Sequence, residues 1–295
     1  MKTKILIIGV TGMLGNALFT QLSGRKNFIV YGTVRNKTEI KLLEERYQKN
    51  VVADIDINNT DSLIEVFGKI KPDIVLNCVG LIKQVMNEND TVNALLINAL
   101  LPHRLASLCK AINARLIHFS TDCVFSGRLG NYCEADPSDA EDVYGKTKFL
   151  GELLYDHTVT LRTSIIGHGL ESHVSLVDWF LGAKGKIEGY RNVIYSGLTT
   201  VEFANIVAEY VIPNDKLKGL YHVSAEPISK YDLLSLIGQI YGKKITINPS
   251  DREVSDRSLN SERFREATGY KPPTWPKLVR NMYRYYQKNK NFIQF

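Results

Sequence analysis

The chain has 295 residues, 44% of them hydrophobic and 23% charged, and a formal net charge of +6; this is enough to bury a large core and excludes a fibrous or disordered class. No apolar run approaches the roughly 20 residues that span a bilayer, and Met1-Lys2-Thr3-Lys4 leads into an apolar run too short for a signal peptide, so a cytoplasmic protein with no membrane partner is expected. Cys78, Cys109, Cys123 and Cys133 show neither CxxC spacing nor a histidine cluster, so neither a metal site nor a disulfide framework is expected.

In chain order, short Val- and Ile-rich runs alternate with longer segments of helical period. Ile5 to Gly9, Phe28 to Val34, Val51 to Ile55, Ile74 to Val79 and Leu116 to Ser120 read as buried strands. Met13 to Ser23, Thr38 to Gln48, Thr60 to Ile70 and Thr91 to Ile112 read as the helices between them. This alternation predicts a doubly wound α/β (Rossmann) fold, a parallel sheet with helices on both faces and right-handed crossovers. A sixth strand includes Val159 to Arg162, after which Ile166 to Leu198 carries scattered glycines and little periodicity. The prolines of Lys271-Pro272-Pro273-Thr274-Trp275-Pro276 introduce a last helix. The expected division is an NAD(P)-binding domain over residues 1–165, with a helix near 201–211 returning to it, and a smaller, mainly substrate-binding part over 166–295. The excess charge lies in the last segment, where no Asp or Glu follows Glu266. A solvated helix face explains it, and no nucleic-acid partner is expected.

Gly9 ends the first strand and Gly15 opens the first helix, so Gly9-Val10-Thr11-Gly12-Met13-Leu14-Gly15 would present backbone N–H groups and a positive helix end to a pyrophosphate. Folds of this class that take NAD place an acid at the end of the second strand for the ribose 2′-hydroxyl. Tyr31-Gly32-Thr33-Val34-Arg35-Asn36 has none, and Arg35, unless it is a plain solvated charge, would pair with a 2′-phosphate. NADPH is therefore the expected cofactor, with NADH the second candidate. Asp54 and Ile55 after the third strand are candidates for the adenine, and Cys78, Val79 and Gly80 after the fourth for the ribose, since ligands bind at strand carboxyl ends.

The fifth strand runs into Ser120-Thr121-Asp122-Cys123, placing the Thr121 hydroxyl at the sheet's carboxyl edge. Further on, Tyr144 and Lys148 are four apart, so on a helix a phenol stands beside an ammonium that favours its ionised form. With this set on the page, the chain resembles the extended short-chain dehydrogenase/reductases, and more closely the dTDP-4-dehydrorhamnose reductase family. That family's STDYVFDG, YGxTKxxGE and LRTS runs appear here as STDCVFSG (120–127), YGKTKFLGE (144–152) and LRTS (161–164).

The resemblance implies NADPH-dependent reduction of a 4-keto-6-deoxy sugar nucleotide for cell-surface polysaccharide, with a nucleotide sugar as partner; a homodimer is compatible with it. It gives Thr121 the substrate carbonyl, Tyr144 the proton, and Lys148 the nicotinamide ribose and the lowering of the phenol's pKa. Asp122, Cys123 and Ile165 would line the sugar pocket, the last two replacing aromatic residues usual in the family. Arg257, in a segment similar to the family's R-P-x-N-S run, would meet the diphosphate, as would Lys83 and Arg191 less directly. Cys123 stands where sugar-nucleotide dehydratases carry the acid of TDE, which argues against dehydration. The similar GDP-fucose synthases use a cysteine there with a downstream histidine, so an epimerase/reductase using Cys123 and His173, with His168 close by, is one alternative. A non-catalytic NADP-binding regulatory subunit is the other.

Overall fold

The computed structural model describes residues 2–83, 86, 90–170 and 175–289. The first half lays down β1 (Thr3–Ile8), α1 (Met13–Ser23), β2 (Phe28–Thr33), a short α2 (Glu45–Gln48), β3 (Val51–Val52), α3 (Thr60–Ile70) and β4 (Ile74–Asn77). There follow α4 (Thr91–Ala94), α5 (Leu101–Ala111), β5 (Arg115–Thr121), α6 (Val143–Leu150) and β6 (Thr158–Thr163). All six strands join a seven-stranded sheet whose seventh member is β10 (Gly219–His222), in the order β10-β6-β5-β4-β1-β2-β3, and every pairing in it is parallel. The order reverses between β1 and β4, and the register sets Ile8 beside both Thr33 and Asn77, and Thr121 beside Thr163. The carboxyl ends of the strands thus open side by side at the switch point where such sheets bind ligands.

The second half adds β7 (Ile165–Ile166), α7 (Leu176–Gly182), β8 (Lys186–Tyr195), β9 (Leu198–Thr199), α8 (Thr200–Ile206) and β10 (Gly219–His222). It ends with β11 (Ile228–Ser229), α9 (Lys230–Tyr241), β12 (Thr246–Asp256), α10 (Glu262–Thr268) and α11 (Trp275–Asn289). Helix α8 packs on α1, and β10 becomes the edge strand beside β6, so chain from beyond residue 166 completes the nucleotide-binding layers. Strands β11, β8 and β12 form a separate three-stranded sheet, built where the sequence shows little periodicity.

Three local expectations are corrected. The single helix over Thr38 to Gln48 is a 3-10 turn, Lys37–Leu42, followed by the isolated turn of α2, because Leu43 turns extended and buries itself in the core. The third strand stops at Val52, since Asp54 adopts a left-handed φ of 60° that no strand continues. Between α4 and α5 the helix widens into a π turn over Leu95–Leu100, just before Pro102, which has no N–H to offer the preceding turn.

The run Thr91–Ala111 is long and apolar enough, by length and composition, to cross a membrane, contrary to the expectation that no segment is. In the fold it is a sheet-covering helix, with Leu101, Leu105, Ala106 and Cys109 in the core and Arg104 hydrogen-bonded to Asn58 and Thr60.

Candidate active site

The glycine turn shows which of its glycines serve the fold. Gly9 has φ +86°, and an added Cβ would fall 2.7 Å from Val79 Cγ2; at Gly15 it would fall 2.0 Å from the Gly9 carbonyl oxygen. Both are required by the packing of α1 on β1 and β4. At Gly12 the nearest atom would be 3.7 Å away, so the protein itself leaves room there. The N–H groups of Gly12, Met13 and Leu14 find no acceptor among the described residues, and the first turn of α1 carries no acidic side chain. A cradle with an open Cβ direction and free donors at an eleven-residue helix's positive end fits a pyrophosphate.

At the end of β2, Arg35 is exposed, and its guanidinium stands 3.9 Å from Glu39. Asp54, also exposed, accepts the Lys37 N–H at 3.2 Å, which commits one carboxylate oxygen to tying two strand-end loops together. Ile55 is buried. At the end of β4 the loop Cys78–Gly80 is shaped from below: Asn77 Oδ1 accepts the Val79 N–H at 3.2 Å, and burial pushes the Cys78 thiol far up. Asn98, at the widened turn before α5, accepts the Leu81 N–H at 2.8 Å and donates to the Leu81 carbonyl at 2.9 Å and the Thr147 hydroxyl at 3.3 Å. It clamps this loop to α6. The sequence reading passed over Asn98 because a lone amide in an apolar helix carries no motif.

Thr121 ends β5, where its hydroxyl accepts the Cys123 N–H at 3.1 Å and donates to Asp122 at 3.2 Å. The Tyr144 phenol lies beside that hydroxyl, which favours its ionised form, and the phenol is half-buried. Helix α6 reaches this position because Asp142 caps it, accepting the Gly145 N–H at 2.7 Å. A Cβ at Gly145 would fall 2.2 Å from the Cys123 carbonyl oxygen, so glycine lets the helix lie against the strand end. Lys83, expected near a diphosphate, instead donates to Asp142 at 2.8 Å and steadies that cap.

Lys148 is buried, one turn beyond Tyr144, and its ammonium donates to the Phe119 carbonyl at 2.7 Å. Burial pulls its pKa down to about 8 against a smaller upward pull from Glu152. The phenol of Tyr144 is not lowered: burial raises it most, and the Cys123 thiol adds to that. Burial likewise raises the Asp122 carboxyl, opposed by Arg257.

Beneath these groups lies a pair that the sequence reading quoted in motifs but did not join. Glu152 and Arg162 form a bidentate buried ion pair, the Ser120 hydroxyl donates to Glu152 at 2.6 Å, and an Arg162 amino group reaches His222 Nε2 at 3.1 Å.

Toward the substrate side, Arg257 spends its Nε on the Phe125 carbonyl at 2.8 Å, and its terminal nitrogens have no hydrogen-bond partner among the described residues. Its charge reaches Asp122, so it belongs to the same site. Ile165 is half-buried on β7. Arg191 is held in an exposed pair with Asp251 on the separate sheet. The Cys123 thiol is pushed up to about 12, by burial first and Asp122 second, so it is no ready base. His168 is closed off at both nitrogens, by Asp178 at 2.7 Å and the Tyr241 phenol at 2.8 Å, and takes no part in an acid–base pair with Cys123. His173 lies outside the described residues.

The arrangement offers a hydroxyl and a phenol to one incoming oxygen, a buried cation behind them and an anion cradle across the sheet. Comparison with known proteins agrees in fold and family. Residues 3–288 match the family model described as RmlD substrate binding domain. The chain is 28% identical to the spore coat polysaccharide biosynthesis protein SpsK of Bacillus subtilis (strain 168), over 94% of this chain and 96% of that one. It is 24% identical to a dTDP-4-dehydrorhamnose reductase of Aggregatibacter actinomycetemcomitans, over 96% and 99% respectively. Its fold superimposes with a TM-score of 0.80 on the crystal structure of dTDP-4-dehydrorhamnose reductase from Bacillus anthracis str. Ames in complex with NADP, at 23% identity and covering 97% and 99% of the two chains.

Proposed function

The chain belongs to the RmlD substrate binding domain family, and from that membership we propose that it is an NADPH-dependent oxidoreductase that reduces the 4-keto group of a 4-keto-6-deoxy sugar nucleotide. The product is an activated deoxyhexose for cell-surface polysaccharide, made in the cytoplasm. What supports the reading is the Thr121 hydroxyl beside the Tyr144 phenol at the carboxyl end of β5, with the buried Lys148 ammonium on the Phe119 carbonyl one turn further along α6 and the open cradle at Gly12.

The cradle N–H groups of α1 would hold the pyrophosphate of NADPH, Arg35 its 2′-phosphate and Lys148 its nicotinamide ribose. The bound cofactor supplies the hydride. Thr121 donates a hydrogen bond to the substrate carbonyl and orients it; Tyr144 gives the phenolic proton to that oxygen as it becomes a hydroxyl. The buried Lys148 cation, one turn along the same helix, would stabilise the phenolate left behind. Arg257, with its terminal nitrogens uncommitted, takes the substrate diphosphate, and Asp122, Cys123 and Ile165 line the sugar pocket. A homodimer is compatible with this reading.

Loss of NADPH absorbance with the purified protein and a panel of 4-keto-6-deoxy sugar nucleotides tests the reading. Oxidation with one member and not with unsubstituted sugar nucleotides is expected. NADPH binding without turnover on any member would favour the regulatory-subunit alternative. Solvent deuterium at C3 or C5 of the product would favour the epimerase/reductase.

A further inference from the structure

The end of β2 carries an acid that a search confined to residues 31–36 does not reach. The 3-10 turn Lys37–Leu42 folds Glu39 back onto the strand end, where its Oε2 accepts the Arg35 N–H at 3.3 Å and its Oε1 accepts from Asn36 Nδ2 at 3.3 Å. The Glu39 side chain is only 19% exposed, whereas Arg35 is 82% exposed and 3.9 Å away. The acid is hydrogen-bonded and largely covered, and the cation stands in water.

We infer that Glu39 is the cofactor-selecting residue of this chain: its carboxylate faces the ribose 2′ position, so that NADH is accepted beside NADPH and the hold of Arg35 on a 2′-phosphate is weakened. The inference rests on the cofactor cradle of the proposed function. An acid at the end of the second strand suits a 2′-hydroxyl, and an arginine nearby suits a 2′-phosphate. Here both stand at one spot. The exposed pair at 3.9 Å holds Arg35 weakly, so it is free to turn to a phosphate. Glu39, fastened by two hydrogen bonds, is not free to leave, and it repels the same phosphate. Asp54 pins the turn from the other side through the Lys37 N–H, bringing a second carboxylate to this edge. Of the cations on this edge, Arg35, Lys37 and Lys41, two are offset by Glu39 and Asp54, which leaves little positive charge for a dianion.

Glu39→Gln removes the charge but keeps an acceptor for the Arg35 N–H, so the turn is preserved. The test is calorimetric titration of NADPH and NADH into the wild-type chain, E39Q and R35A, with melting temperature as a check on folding. The wild type is expected to bind the two cofactors within about tenfold of each other, E39Q to shift the ratio toward NADPH by roughly five- to tenfold, and R35A to weaken NADPH alone. A ratio unchanged in a folded E39Q would overturn the inference. A wild-type chain that bound neither dinucleotide would overturn the proposed function, and the inference with it.

Discussion

Glu152 grips Arg162 with two parallel hydrogen bonds, Nε to Oε1 at 2.7 Å and a terminal nitrogen to Oε2 at 2.6 Å, joining the loop after α6 to β6. Both side chains are shut from water. Removing one partner strands the other charge in the interior, which costs about 3–5 kcal/mol. Arg162→Met and Glu152→Gln are therefore expected to lower the unfolding free energy by about that amount. The double replacement Glu152→Leu with Arg162→Met is expected to recover much of it, because no charge is left unpaired. Urea denaturation of the three variants measures this, and losses that simply add would contradict the pairing.

Gly12 and Gly15 are expected to separate binding from folding. Gly15→Ala places a methyl 2.0 Å from the Gly9 carbonyl oxygen and forces α1 away from β1, an overpacking cost of about 1–3 kcal/mol or more. Gly12→Ala meets nothing closer than 3.7 Å, so its melting temperature should match the wild type. Its methyl would point where a pyrophosphate approaches the backbone, and NADPH affinity measured by titration should fall at least tenfold. Equal affinity in Gly12→Ala would place the phosphate elsewhere.

Strands β1 and β4 were readable because burial on both faces writes them as apolar runs, whereas β5 and β6, equally buried, carry polar residues such as His118, Thr160 and Arg162 within them. Strands β8 and β12 left no such mark: β8 is only partly buried, and β12 is largely exposed and carries Asp251, Arg252, Glu253 and Asp256 in its second half. Tyr144 and Lys148 were visible because one turn of helix separates them. Glu152 lies in the loop after α6 and Arg162 on β6, ten residues on, and only the folded chain shows that they touch. Glu39 was missed for a related reason, since a 3-10 turn brings it back to a strand end that the linear sequence has already left.

Tyr144→Phe removes the transferable proton and little else, because the ring remains between α6 and the β5 end. Initial rates of NADPH oxidation are expected to fall by about 10²–10⁴ while the cofactor dissociation constant stays within error. Thr121→Val should lose turnover as well, and it also strips the cap from the Cys123 N–H. Thr121→Ser restores both the cap and the carbonyl contact, so it separates the catalytic loss from the structural one. Turnover unchanged in Tyr144→Phe would end its role as acid.

Lys148 gives a pH signature independent of turnover. Burial brings its folded pKa down to about 8 from the ordinary 10.5, so between those values the unfolded chain binds the proton that the folded one has released. Stability from this group therefore rises with pH across that window, and below pH 8 the buried cation costs about 3 kcal/mol at most. The raised Tyr144 phenol and Cys123 thiol work in the opposite direction, losing stability as the unfolded groups ionise above about pH 9. Lys148→Met leaves them in place, so the difference between wild type and variant isolates the lysine. Urea unfolding at steps from pH 7 to 10 should show the wild type gaining on Lys148→Met above pH 8; a flat difference would mean that the ammonium is solvated and the phenol has no buried cation behind it.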